Sequence, residues 1–161
     1  MKGSPQVDLA AEDTAAAASP MDDDELAQGW AMLMQRYQRL TCTLDRTLLA
    51  EHELTSSEFN VLEALCVAEP SELKMADLGG HVHLTQSALS RLVGRLEDAG
   101  LVRREMCTAD RRAVFARLTD EGRERYAAAK PTQRAVLRSE VEAPHSPAAD
   151  AFVTACTQTS D

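Results

Sequence analysis

Gln86, Ser87, Ser90 and Arg91 gather an amide, two hydroxyls and a guanidinium within six residues. At these spacings all four groups reach one side of a helix. Arginine pairs in bidentate fashion with guanine, glutamine does so with adenine, and serine bonds to either. The set therefore suits base edges in a DNA major groove. The surrounding stretch, Leu84 to Leu101, reads LTQSALSRLVGRLEDAGL. Leu89, Leu92, Val93 and Leu96 fall at i, i+3, i+4 and i+7, one apolar stripe opposite the polar face. Thr85 is the expected N-cap, Leu84 and Leu89 form a hydrophobic staple around it, and Gly100 supplies a left-handed end. No acid follows Thr85 until Glu97. An ordinary amphipathic helix with a solvated face carries the same pattern, so the flanking elements decide.

Upstream, Leu54-Thr55-Ser56-Ser57-Glu58-Phe59 contains the T-x-x-E of a capping box inside a Leu54/Phe59 staple. The helix it starts turns Phe59, Leu62, Leu65 and Cys66 inward and leaves at Pro70. Glu72-Leu73-Lys74 suits a short strand. Met75, Leu78 and Val82 then define a compact helix whose internal Gly79 and Gly80 predict close approach by the next helix. With a tight turn at His83-Leu84, this predicts a helix-turn-helix. After Gly100, two strand-like runs, Leu101–Cys107 and Val114–Leu118, flank a polar, basic tip and predict a β-hairpin wing. Thr119-Asp120-Glu121 opens a final helical region, expected to break at Pro131 and end at Pro144. A last segment, Ala148 to Thr157, is expected to bury Phe152, Val153 and Cys156.

The chain before Leu54 has two parts. Residues 1–21 are rich in Ala, Ser, Pro and acids and read as an arm that is disordered or weakly helical. Asp22-Asp23-Asp24-Glu25 then places negative charge where a helix N-terminus favours it. Leu26, Trp30, Leu33, Tyr37, Leu40 and Leu44 follow at alternating four- and three-residue steps, a heptad seam. Such a seam predicts packing against a second subunit, against the chain's own C-terminal helices, or both.

Composition sets the outer bounds. In 161 residues, 4% aromatics and 44% hydrophobics weighted to Ala and Leu favour helices around one compact domain. No run suits a membrane span and the N-terminus lacks a signal-peptide layout, so a soluble, cytoplasmic protein is expected. Four cysteines lie far apart without a CxxC and are expected as free thiols. The net charge of −9 argues against indiscriminate nucleic-acid binding. Between Lys74 and Leu118, however, eight basic residues face five acidic ones, a locally basic segment suited to focused phosphate contact. No nucleophile elbow, phosphate-cradling glycine loop or HExxH appears, so no enzyme and no cofactor are expected. His81-x-His83 is a histidine pair whose alternatives are a polar turn and a zinc site.

The run Leu84 to Arg104, followed by Asp110-Arg111-Arg112 and Leu118-Thr119-Asp120-Glu121-Gly122, resembles the MarR family of bacterial transcriptional regulators over roughly residues 25–128. The specific part is its SRLVxRLExxGLVxR…DRR…LTxxG pattern. The resemblance implies a winged helix-turn-helix homodimer on pseudo-palindromic double-stranded DNA, usually a repressor released by a small molecule or an oxidant. By the same resemblance, Thr85, Gln86, Ser87, Ser90, Arg91 and Arg95 lie on the DNA-reading helix, and Asp110, Arg111 and Arg112 on the wing. Trp30, Met34 and Tyr37 are candidates for an effector pocket or for seam packing. Cys42 is a candidate peroxide sensor, the alternative being a buried, inert thiol with only Arg46 in helical reach. His52 with Glu53 would serve a metal-responsive variant, and a winged helix used for protein binding is the other alternative. Thr108 stands where relatives often carry proline.

The fold expected is mainly α (α+β). An arm at 1–21 precedes a dimerisation helix at 22–52 and a winged helix-turn-helix domain at 53–118. The reading helix lies at about 85–99 and the wing at about 102–118, with C-terminal dimerisation helices at 119–161.

Overall fold

The computed structural model describes residues 21–106, 113–142 and 147–158. Its first element, α1 (Asp23–His52), starts at a capping box in which Asp22 and Glu25 satisfy each other's backbone N–H groups. A second box, Thr55 with Glu58, starts α2 (Ser56–Val67). Strand β1 (Glu72–Lys74) leads into α3 (Met75–Val82). His83 closes α3 in the left-handed region at φ 53° and turns the chain into α4 (Gln86–Asp98). Strands β2 (Val102–Met106) and β3 (Val114–Leu118) complete an antiparallel sheet in the order β1-β3-β2. Its register pairs Glu72 with Arg117, and Val102 with Leu118. Helices α5 (Asp120–Glu142) and α6 (Pro147–Gln158) return along α1. A helix-turn-helix followed by a hairpin on a three-stranded sheet is a winged helix-turn-helix.

One core holds the winged part together. Phe59, Leu62 and Leu65 of α2 meet Leu78 of α3, Leu89 and Val93 of α4, and Val102 and Ala116 of the sheet, all fully buried. Burying each such side chain contributes about 1.5–3 kcal/mol, excepting the small alanine. Helix α4 ends as expected: Gly100 takes φ +75°, its N–H bonds the Glu97 carbonyl and Leu101 N–H bonds that of Leu96. Thr119 then ties α5 to this corner, donating its hydroxyl to the Gly100 carbonyl and accepting from Gly122 N–H. A Cβ on Gly122 would lie 2.1 Å from the Leu101 carbonyl oxygen, so only glycine permits this approach.

Several expectations are corrected. Helix α5 runs unbroken through Pro131. The ring forfeits the bond to the Ala127 carbonyl, but both residues are exposed, so water can take that group. Buried Tyr126, Ala129 and Gln133 hold the helix on its other side. Gly79 does meet the next helix, with Leu84 and Leu89 atoms 3.4–3.7 Å from a Cβ built there, whereas Gly80 faces open space. On α6 the inward residues are Ala149 and, partly, Phe152, while Val153 and Cys156 are exposed. Phe152 packs on Trp30 and over Gly29, where a Cβ would lie 2.6 Å from it. Cys42 is exposed, not buried, because it falls on the outer side of α1. Of the α1 seam, Leu26, Leu33, Leu40 and Leu44 are half-buried, and Trp30 and Tyr37 stay 52% and 61% exposed.

Candidate nucleic-acid interface

The N-terminal half of α4 projects from the core with its polar face outward. Thr85 caps it, its hydroxyl accepting Ala88 N–H at 3.3 Å, so this side chain orders the helix start. Gln86, Ser87, Ser90 and Arg91 are all exposed, while Leu89, Leu92, Val93 and Leu96 beneath them are at most 4% exposed. The four polar groups thus share one surface on a rigidly seated helix. Among the described residues Arg91 has no carboxylate partner. Arg103 on β2 is likewise exposed and unpaired among them.

The other arginines of this region are engaged. Arg95 Nε donates to Glu58 Oε1 at 2.9 Å, and the second oxygen of this buried carboxylate accepts Thr55 N–H. Arg95 therefore joins α4 to the start of α2. Asp45 of α1 accepts Ser56 N–H at 2.7 Å at the same helix start. Arg104 reaches back from β2 to the Ser90 carbonyl and Glu97 on α4. Arg117 bridges Glu72 and Glu105 across the sheet. A concavity of about 380 Å³ between α1, α2 and α4 is lined by Asp45, Thr55, Ser57, Arg91 and Arg95 among others.

The wing-tip residues Asp110, Arg111 and Arg112 lie outside the described residues, as do Cys107 and Thr108. Trp30 and Tyr37 are on the outer surface of α1 and Met34 is half-buried. None of the three lines the larger concavity, of about 550 Å³, at the opposite end of α1. That space is bordered by Glu51, His52, Glu53, Glu121, Glu124 and Arg125. His52 is occupied by Thr132, 2.8 Å from its Nε2, and His81 and His83 are exposed on and after α3. Among the described residues no three His, Cys, Asp or Glu side chains converge as a metal cluster.

A MarR family model matches residues 52–113. Transcriptional regulator HosA of Escherichia coli is 33% identical over 99 residues, covering 62% of this chain and 70% of HosA. The chain belongs to the MarR family. The HTH-type transcriptional regulator TtmR of Methylorubrum extorquens is 41% identical over 78 residues, 48% of this chain and 39% of TtmR. The chain spans about half the length of the first curated relatives it matches. Sco3205 of Streptomyces coelicolor, a MarR family regulator solved in complex with DNA, superposes with a TM-score of 0.74 at 28% identity, covering 89% of each chain. Two residues of the family pattern gain a physical reason here. Thr119 and Gly122, in LTxxG, join the end of α4 to the start of α5. Sequence reasoning missed Glu58 as an anchor for Arg95, and Arg104 as an anchor for α4. Glu58 shows in the sequence only as a capping residue. Nothing in the order of residues signals the fourteen-residue return of Arg104 to Ser90.

Proposed function

We propose that this chain is a sequence-specific DNA-binding transcriptional regulator that acts in the cytoplasm as a homodimer on a pseudo-palindromic operator. It is a repressor, released by a small-molecule or redox signal. One observation carries the reading: Gln86, Ser87, Ser90 and Arg91 stand exposed together on a helix anchored from beneath. Thr85 orders that helix start, Arg95 holds its far half, and Asp110, Arg111 and Arg112 form the wing contact to the minor groove. Further support comes from the likeness to Sco3205, a relative solved with DNA. The segment 53–118 is the DNA-binding domain, and 22–52 with 119–161 form the dimerisation region. Exposed Trp30 and Tyr37 on α1 support that pairing, because a second copy would bury them. Trp30, Met34 and Tyr37 near the subunit junction receive the effector, and exposed Cys42 receives an oxidant.

Binding-site selection followed by footprinting tests the reading, with two protected half-sites expected about 10 bp apart. Arg91→Ala should relax base preference at one position by about 1–3 kcal/mol. An equal loss on every sequence would reduce Arg91 to a phosphate contact, and no binding to any duplex at low salt would end the proposal. For the redox arm, a Cys42→Ser protein that still releases DNA under peroxide would remove Cys42 from the mechanism.

A further inference from the structure

Arg104 lies outside the exposed face of α4, yet both its side chain and its backbone bond to that helix. Its Nη2 donates to the Ser90 carbonyl at 2.5 Å, and its backbone N–H donates to Glu97 Oε1 at 3.1 Å. Nε is buried without a hydrogen-bond partner, 3.8 Å from Glu97 Oε2. The guanidinium crosses α4 at Gly94, where a Cβ would sit 3.6 Å from Nη2. Ser90, Gly94 and Glu97 fall at i, i+4 and i+7, so one arginine spans two turns along a single face. Gly94 opens the strip of helix backbone that the guanidinium covers. On another side of the same helix, Arg95 is fixed to Glu58 on α2.

We propose that Arg104 is a positioning residue: it locks the pitch of α4 against the wing strand β2 and so sets base discrimination without touching DNA. The proposal rests on the reading of α4 as the DNA-reading helix. The Ser90 carbonyl it holds belongs to a candidate base contact and is followed directly by Arg91. A guanidinium whose Nη2 is held by the Ser90 carbonyl and whose Nε is buried beside Glu97 is poorly placed to neutralise a phosphate. Its loss should therefore leave the number of released counterions unchanged.

The test uses the full chain, an operator obtained by selection, and a scrambled duplex of equal length, with affinities measured over a salt series. Arg104→Ala should lower the ratio of operator to scrambled affinity by about tenfold, within the range of one lost base contact. The slope of log K against log salt should stay as in the wild type. Gly94→Leu keeps the charge but fills the strip under the guanidinium, and should lower the ratio similarly. It carries the test alone if Arg104→Ala does not fold. An unchanged ratio in the variants overturns the proposal, as does an equal loss on both duplexes with a slope reduced by about one, the mark of a phosphate contact. A wild-type chain that binds neither duplex overturns the underlying DNA reading, and this role with it. Wild-type discrimination with indifferent variants overturns the Arg104 role alone.

Discussion

Gly94 and Gly122 both sit in helical backbone, yet a methyl added to each meets different atoms. At Gly94 the nearest is Nη2 of Arg104 at 3.6 Å, ordinary contact with the end of a flexible side chain. The intrinsic preference of helices for alanine should then dominate, and Gly94→Ala should stabilise the protein by about 0.5–1 kcal/mol in urea unfolding. At Gly122 the methyl would meet the Leu101 carbonyl oxygen at 2.1 Å and Leu118 Cδ1 at 2.8 Å. A backbone carbonyl pinned by Thr119 N–H cannot step aside. Gly122→Ala should cost about 3 kcal/mol in the same measurement, the upper part of the usual range for overpacking. Sequence alone ranks the two substitutions alike, because the deciding atom at Gly122 comes from residue 101. The exposed polar face of α4 was legible for the opposite reason: Gln86, Ser87, Ser90 and Arg91 need only their own helix to share a side.

Elements were legible where their signals are local. The Thr55/Glu58 capping box, the Thr85 cap and the Gly100 ending act over three to five residues, and α2 and α4 begin, and α4 ends, where these patterns put them. Thr55→Ala should accordingly destabilise the fold by about 1 kcal/mol or more, since its hydroxyl satisfies Glu58 N–H at 3.2 Å and its loss unsettles the Glu58 carboxylate that holds Arg95. Thermal unfolding would register this as a lowered midpoint, and an unchanged midpoint would show the box to be redundant with Asp45. Elements were misread where distant packing overrides local preference. The break expected at Pro131 does not occur, because α5 is anchored on both sides of it. Tyr126 packs on Phe59 with ring centroids 5.3 Å apart, and Arg134 pairs with Glu63. The inward face of α6 was similarly misjudged. Phe152 and the Ala148 carbonyl make the close approach to α1 at Gly29, the small Ala149 is buried with little hydropathic weight, and the larger Val153 is left outside.

For the whole molecule, the C-terminal helices and the winged part are joined by polar contacts as well as apolar ones. Tyr126 is the clearest case. Its phenol is buried and donates to Glu63 Oε1 at 3.2 Å. Burial first, and then the Glu63 charge and hydrogen bond, push its pKa above the ordinary tyrosine value. A raised pKa favours the protonated phenol in the folded state. The resulting stability is present below the unfolded tyrosine pKa of about 10 and is lost as pH rises through the higher folded value. Unfolding free energy should therefore fall more steeply on the alkaline side in the wild type than in Tyr126→Phe, as read from urea midpoints at successive pH values. The corner at Gly100 and Thr119 has a wider mechanical meaning. One threonine grips the tail of α4 and begins α5, and the next residue but two lies against the same backbone turn. At 1.5 Å per residue, the 23-residue α5 extends roughly 34 Å from this pin. Because Tyr126 and Arg134 bind the same rod to α2 further along, a swing at its far tip would be carried as a tilt of the whole winged body, the outward face of α4 included.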